Sequence, residues 1–402
     1  MAELPQIFIE QTRQLMGSER FDRYLQSFEE EAPVSIRLNP RKAQGLTAAD
    51  GEPVPWCRHA FYLPKRPNFT ADPLLHAGCY YVQEAASMFL DEVLRQLADS
   101  QSSTTALDLC AAPGGKSTLL RAALPEDCVL YSNEPVRQRA SILQENVEKW
   151  GGSNHIVTNL YPRDYRASKL RFDVILCDVP CSGEGMFRKD PATIREWSPQ
   201  QVEKCWQLQR DIVSDAWQCQ CDGGLFIYST CTFNTKENEE NIRWMLSEFD
   251  AEVVRVDIRP EWNITGSLLE GFTAPVYRFI PGITRGEGLF MCVLRKAGVY
   301  RKQTKSLPQV KPEFTLGKIS SRQDPAQGQA ELTYQQAMAY LRREALVLPP
   351  DTPRGLVEVC FQGHPLGLVK NIGTRANNLY PKEWRIKTTH IPTDYETILR
   401  HT

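Results

Sequence analysis

The stretch from residue 105 to residue 229 leaves few architectures open, because short apolar runs alternate with helical segments along its whole length. Thr105-Ala106-Leu107-Asp108-Leu109-Cys110 passes through a glycine turn into a helix, and Val129-Leu130-Tyr131-Ser132 precedes a helix from Val136 to Trp150. His155-Ile156-Val157-Thr158 and Phe172-Asp173-Val174-Ile175-Leu176-Cys177 follow. After a long helix ending near Cys219 comes Gly224-Leu225-Phe226-Ile227-Tyr228-Ser229. Strands of this kind, separated by helices, are buried on both faces, so the pattern predicts a doubly wound α/β fold around a mostly parallel sheet. Ligands of such sheets bind beyond the carboxyl ends of the strands. Function is therefore sought in the turns that follow each run.

The first turn reads Cys110-Ala111-Ala112-Pro113-Gly114-Gly115-Lys116-Ser117. A phosphate-binding P-loop needs glycine where Cys110 stands, and the dinucleotide pattern GxGxxG is absent. What remains is a glycine turn that brings backbone close to a ligand at the positive end of a helix. Glu134 ends the second run, 19 positions (134 − 115) after Gly115. A carboxylate at that spacing commonly holds ribose hydroxyls; the alternative is that Glu134 caps the helix beginning near Pro135. Loop and carboxylate together point to a nucleoside cofactor without choosing between a dinucleotide and S-adenosylmethionine.

Two further turns carry thiols. The fourth run ends in Asp178-Val179-Pro180-Cys181-Ser182-Gly183-Glu184-Gly185 and the fifth in Ser229-Thr230-Cys231-Thr232-Phe233-Asn234. These strands are expected to be neighbours, which brings both cysteines to one crevice with Asp178, and with Lys116 near enough to favour a thiolate. Any single cysteine is more often an inert core residue, as Cys110 and Cys177 read here. Two at adjacent strand ends are harder to explain by packing, and the residues alone leave either one as the nucleophile.

Composition narrows the class. The chain has 402 residues, 42% hydrophobic and 24% charged, with a formal net charge of −2. That is an ordinary globular balance with room for several domains and for local basic patches. No run is long enough for a membrane span, and the start lacks a signal-peptide pattern, so a cytoplasmic protein is expected. The 12 cysteines are scattered through apolar segments without a CxxC pair, which predicts reduced thiols and no metal site. A composition break from about Lys296 to Ala330, with Gln303, Lys305, Gln309, Lys311 and Ser320-Ser321-Arg322-Gln323-Asp324, reads as a linker. Beyond it, helical spacing from Leu332 to Leu348 and strand-like Gly355–Val359 and Pro365–Val369 predict a small α+β domain.

Ala106–Ser117 (ALDLCAAPGGKS), Asp178–Gly185 (DVPCSGEG), Ser229–Asn234 (STCTFN) and Gly286–Leu289 (GEGL) occur in one order over most of residues 30–296. Together they resemble the Sun/Fmu family of RNA (cytosine-5) methyltransferases. Arg37 and Tyr81-Val82-Gln83-Glu84 resemble its N-terminal part. Gly367-Leu368-Val369-Lys370 and Asn378-Leu379-Tyr380-Pro381-Lys382 resemble the tail of its bacterial 16S ribosomal RNA branch. The resemblance implies a seven-stranded Rossmann-like methyltransferase sheet in residues 101–297. It also implies an N-terminal RNA-recognition domain with a connecting helix in 1–100, a linker in 298–330 and a PUA-like RNA-binding domain in 331–402. It further implies that Cys110, Ala111, Ala112, Pro113, Gly114, Gly115, Lys116, Glu134 and Asp178 line an S-adenosylmethionine site. Cys231 would then be the nucleophile, Cys181 would assist product release, and Asp178 and Lys116 would complete the catalytic set. The expected partner is small-subunit ribosomal RNA, bound by a monomer without metal or membrane. Where the family often has an aspartate facing the adenine, this chain has Tyr161, with Asp164 three residues on.

Methylating a base within RNA requires it to be single-stranded or flipped out, and a basic surface to carry the backbone. Arg37, Arg41, Lys42, Arg188 and Lys189 are candidates. From Pro353 to Thr388, Arg354, Lys370, Arg375, Lys382, Arg385 and Lys387 face only Glu358 and Glu383. Taken singly, each reads as a solvated surface charge; the cluster reads as an RNA contact. A non-catalytic RNA-binding factor would need no thiol pair, and an ATP-using enzyme would need the missing glycine at Cys110.

Overall fold

In the computed structural model the described residues are 3–98, 105–299, 315–319, 326–388 and 390–402. Helices α1 (Gln6–Met16) and α2 (Ser18–Gln26) precede strands β1 (Val34–Leu38), β2 (Leu46–Ala48), β3 (Glu52–Pro53), β4 (Ala60–Leu63) and β5 (Tyr80–Val82). Four of these form an antiparallel sheet in the order β3-β4-β1-β5. A short helix α3 (Pro73–His76) leads into β5, and α4 (Leu90–Leu97) connects to the next part of the chain.

There the alternating runs become β6 (Thr105–Asp108), α5 (Gly115–Ala123), β7 (Val129–Asn133), α6 (Arg137–Trp150), β8 (His155–Thr158), α7 (Pro162–Ser168) and β9 (Phe172–Asp178). They continue with α8 (Pro191–Glu196), α9 (Pro199–Trp217), β10 (Gln220–Thr230), α10 (Glu239–Glu248), β11 (Ala251–Val253), β12 (Tyr277–Phe279), β13 (Leu289–Lys296) and β14 (Thr315–Ile319). The sheet order is β11-β13-β10-β9-β6-β7-β8-β14, with β12 paired to β13. The pairs β10/β9, β9/β6, β6/β7 and β7/β8 are parallel. Seven of these strands make the expected doubly wound sheet. Two more extend it: β12, and β14, which pairs antiparallel with β8 from inside the stretch expected to be a linker. The remainder of that polar stretch, including Gln303 to Lys311 and Ser320 to Asp324, lies outside the described residues. The order of the strands, though not their direction, reverses at β6, whose neighbours are β7 on one side and β9 on the other, so the crevice for ligands is expected at the ends of β6 and β9.

The C-terminal residues form β15 (Gly328–Glu331), α11 (Tyr334–Leu341), β16 (Gly355–Phe361), β17 (His364–Asn371), β18 (Ala376–Asn378) and β19 (Leu399–His401). Helical spacing had suggested a helix to Leu348, but α11 stops at Leu341. Arg343 has φ 67°, and Leu346 turns to pair with Ala376 as an isolated bridge. The apolar residues beyond the helix are buried from an extended chain, which spacing alone does not distinguish. This segment does not stand apart from the N-terminal one. Ile36, Leu74 and Tyr80 share a single apolar cluster with Leu341, Val357 and Val369, and β19 pairs with β2. At the seam, Tyr80 and Tyr395 both donate to buried Asp72 (2.7 and 3.3 Å), and Tyr334 donates to the Ala71 carbonyl. Burial, only partly opposed by these bonds, pushes the Asp72 carboxyl up to about 6. Among the described residues no helix is long and apolar enough to cross a membrane.

A shared core predicts shared cooperativity. Leu341→Ala should cost about 2–5 kcal/mol, and hydrogen exchange should show residues 34–82 losing protection together with residues 328–371. Loss confined to the C-terminal strands would contradict a common core.

Candidate active site

Strands β9 and β10 run side by side in the same direction, with Ser229 opposite Asp178. Their carboxyl ends therefore deliver two turns to one place. Cys181 Sγ and Cys231 Sγ lie 3.2 Å apart, and the Cys231 backbone N–H points at Cys181 Sγ at 3.3 Å. Both thiols are partly exposed, whereas Cys177 is buried in the sheet. Cys110, expected with Cys177 in the core, is partly exposed as well, because it sits in the turn after β6. None of the cysteines is in a disulfide. The hydrogen bond with Cys231, followed by burial, raises the Cys181 pKa well above the ordinary thiol value, so Cys181 keeps its proton at neutral pH.

Lys116, in the first turn of α5, reaches across the sheet to Asp178 (Nζ–Oδ2 2.8 Å), while Ser229 donates to the other carboxylate oxygen at 2.6 Å. Burial works to lower the Lys116 pKa, but the Asp178 charge and hydrogen bond outweigh it and the net shift is upward, with Cys231 adding to it. The crevice thus holds a fixed cation beside a pair of thiols and a carboxylate.

The glycine turn ahead of α5 contains a cis Ala112–Pro113 peptide and Gly114 at φ 120°. A side chain there would be strained and would press on Leu143 and Asn146 of α6. Asp108 at the end of β6 is fully buried; Ser117 donates to Oδ2 at 2.5 Å, and Oδ1 has no hydrogen-bond partner. Burial pushes this carboxyl up to about 7, against the Ser117 hydrogen bond that pulls it down. A buried oxygen without a partner is a group that a polar ligand would satisfy.

Glu134 does not cap α6, whose N-cap is Val136 without a side-chain cap bond; it accepts from the Val136 N–H at 2.9 Å ahead of the helix and pairs with Arg139 at 3.3 Å. It nonetheless remains a buried carboxylate at the end of β7, beside the turn. Asn133 ties three strand ends together: it donates to the Leu109 and Leu160 carbonyls and accepts from the Leu160 N–H and the Thr158 hydroxyl. Tyr161 is 55% exposed with the Arg163 guanidinium 5.0 Å from its ring centre. Asp164 is occupied by the Tyr161 N–H at the start of α7.

Several cations expected on the surface are used internally. Arg37 is only 3% exposed; it lies over the Trp150 ring and donates to Gln83, Thr118 and the Gly115 carbonyl. Lys42 donates to the Ala77 and Lys149 carbonyls, and Arg188 is paired with buried Glu287. Arg41, Lys189 and the six cations from Arg354 to Lys387 are exposed. Reading charge from sequence does not separate a cation that joins two segments from one that meets solvent. The sequence placed Asp108 at the strand end without giving it a role, and gave none to Glu184, Glu237 and the buried Arg278–Glu239 pair, whose arginine donates to the Phe233 carbonyl. Glu184 lies within a motif that had been noted for its cysteine. Among the described residues no group of histidine, cysteine and carboxylate side chains could hold a metal ion.

Comparison with known proteins follows the same division of the chain. Residues 95–295 match the family model for 16S rRNA methyltransferase RsmB/F. Residues 4–85 match the N-terminal domain of 16S rRNA methyltransferase RsmF, and residues 328–386 the RsmF PUA domain. Ribosomal RNA small subunit methyltransferase F of Cronobacter sakazakii is 29% identical over 94% of this chain and 96% of its own. The protein of that name from Serratia proteamaculans is 32% identical over 79% of this chain and 67% of its own. Among solved structures, a methyltransferase homologue from Pyrococcus horikoshii superposes with TM-score 0.59 at 26% identity, covering 70% of this chain and 92% of that one.

Asn133→Ala leaves the Leu109 and Leu160 carbonyls and the Leu160 N–H without their partner. It is expected to lower unfolding stability by about 1–3 kcal/mol in denaturant titration. A change under about 0.5 kcal/mol would show that the three strand ends are held by other means.

Proposed function

The chain belongs to the 16S rRNA methyltransferase RsmB/F family, and on that premise we propose that it methylates carbon 5 of a cytosine in small-subunit ribosomal RNA, with Cys231 as nucleophile. The observation that carries this reading is the thiol pair at 3.2 Å beside the Lys116–Asp178 pair. S-adenosylmethionine, when bound, supplies an electrophilic methyl group on a sulfonium. The residues present suit it: a glycine turn from Cys110 to Lys116, a buried unpartnered oxygen on Asp108 for a cationic group, and the Glu134 carboxylate for ribose hydroxyls.

Carbon 5 of cytosine is a weak nucleophile until something adds at carbon 6. The Cys231 thiolate, beside the Lys116 cation, forms that bond. Asp178 accepts a hydrogen bond from the pyrimidine protonated at N3, where electron density accumulates, and carbon 5 gains the electron pair with which it takes the methyl group. Loss of the carbon-5 proton to a base then returns electrons to the ring and expels the Cys231 thiolate. Cys181, held as a thiol 3.2 Å away, assists this release. We assign catalysis to residues 101–297 and RNA recognition to 1–100 and 331–402, with 298–330 as the connection. The shared core gives the two RNA-facing segments a fixed geometry. The crevice is built from one chain, which favours action as a monomer, and a ribosomal substrate implies work in the cytoplasm.

RNA carrying 5-fluorocytosine tests the assignment, because fluorine blocks loss of the carbon-5 substituent and leaves the adduct intact. Cys231→Ala should lower methyl transfer at least ~10³-fold and abolish trapping. Cys181→Ala should accumulate a covalent adduct on ordinary RNA. The reverse pattern would make Cys181 the nucleophile.

Asp108 supplies a second test. Its carboxyl, at about 7 in the protein, is largely neutral below that pH. A cation beside the unpartnered oxygen favours the ionised form, so binding at lower pH must expel a proton. Affinity for S-adenosylmethionine should therefore rise from about pH 6 to about pH 8, by up to ~tenfold per unit on the acid side. Asp108→Asn should flatten the profile in calorimetric titration. A flat profile for the unmodified protein would remove Asp108 from the cofactor site.

A further inference from the structure

Two carboxylates cross between the cysteine turns in opposite directions. Glu184, three residues after Cys181, accepts from the backbone N–H groups of Phe233 (2.8 Å) and Asn234 (2.9 Å), two and three residues after Cys231. Glu237, six residues after Cys231, accepts from the backbone N–H of Ser182 (3.0 Å) and from its hydroxyl. The Asn234 side chain donates to both carboxylates, at 2.7 Å to Glu237 and 3.1 Å to Glu184. Gln209 of α9 donates to Glu237 and to the Pro180 carbonyl, and the Gly185 N–H donates to the Cys231 carbonyl at 2.9 Å.

Both carboxylates are almost fully buried, at 2% for Glu184 and 0% for Glu237, and neither has an ion-pair partner among the described residues. A buried carboxylate without a counter-charge is costly, and apolar side chains would fill the same space at less expense to stability. Burial raises the Glu237 pKa, opposed by the bonds from Ser182 and Asn234. What these groups do that apolar ones cannot is grip specific N–H groups on the opposite turn. Because each turn holds the other, they fix the separation of the two sulfur atoms.

We propose that Glu184 and Glu237 form a reciprocal clasp that holds Cys181 against Cys231, and that they are positioning residues for the step that breaks the covalent RNA adduct. The second half rests on the roles assigned above to the two cysteines; the first half does not. Neither carboxylate needs to touch RNA or cofactor. Their effect is to keep a proton-bearing thiol beside the sulfur that must leave. Loosening the clasp should therefore spare adduct formation, which does not call on Cys181, and slow adduct breakdown.

The test reads thiol separation and turnover independently. In a buffer of reduced and oxidised glutathione, exchange converts the two thiols to a Cys181–Cys231 disulfide and one oxidised glutathione to two reduced ones. Peptide mapping measures the fraction linked. Thiols held in contact have a high effective concentration, so the unmodified protein should form this bond readily. The Glu184→Gln/Glu237→Gln double variant should need at least ~tenfold more oxidising glutathione ratios to reach the same fraction. It should also accumulate adduct on ordinary RNA while binding S-adenosylmethionine within about twofold of the unmodified affinity. Should the double variant fail to fold, Ser182→Ala, which removes one donor to Glu237, should shift both readouts the same way by about threefold. An unchanged glutathione equilibrium would overturn the clasp. A shifted equilibrium without accumulated adduct would uphold the clasp and overturn the role of Cys181 in release.

Discussion

The parallel pairing of β9 with β10 is the constraint on which the chemistry depends. Parallel neighbours end at the same edge of the sheet, so whatever follows one strand meets whatever follows the other. Here the register sets Ser229 against Asp178, and the turns that follow bring two thiols to 3.2 Å. An antiparallel pairing of the same two segments would send Cys181 and Cys231 to opposite edges. The buried apolar runs that force both strands into the middle of the sheet are in this sense part of the active site.

The neighbouring edge is arranged by the same logic. Strand order, though not strand direction, reverses at β6, which opens a crevice beside Asp108, the glycine turn and Glu134, and Lys116 reaches over to Asp178 on β9. One cation thus connects the glycine-turn side of the crevice to the thiol side. Arg37 connects a third part: it runs from β1 to the Gly115 carbonyl and Thr118 at the base of α5. The sheet of residues 34–82 is thereby attached directly to the start of α5 beside the glycine turn, and through the common core to the C-terminal strands.

Much of this was legible in residues read along the chain. Alternating apolar runs and helices announced the sheet, and motifs at strand ends announced the turns that meet at one edge of it, because both signals are local. The losses share one physical cause. Arg37, Lys42 and Arg188 had the look of surface cations, but burial against Trp150, the Lys149 carbonyl and Glu287 is decided by partners 99 to 113 residues away. Strand β14 was hidden in a polar stretch because an edge strand needs little apolar character. The carboxylate clasp escaped notice because a glutamate three or six residues from a cysteine says nothing of which backbone it will grip. The common core of residues 36–80 and 330–399 escaped for the same reason: its two halves meet only in three dimensions.

The central claim is that this crevice forms 5-methylcytosine in small-subunit ribosomal RNA. Bisulfite sequencing of ribosomal and transfer RNA from cells with the gene, without it, and with the gene restored as Cys231→Ala tests it most directly. The account predicts one small-subunit cytosine protected from conversion only when intact Cys231 is present. Identical conversion patterns in all three would contradict it.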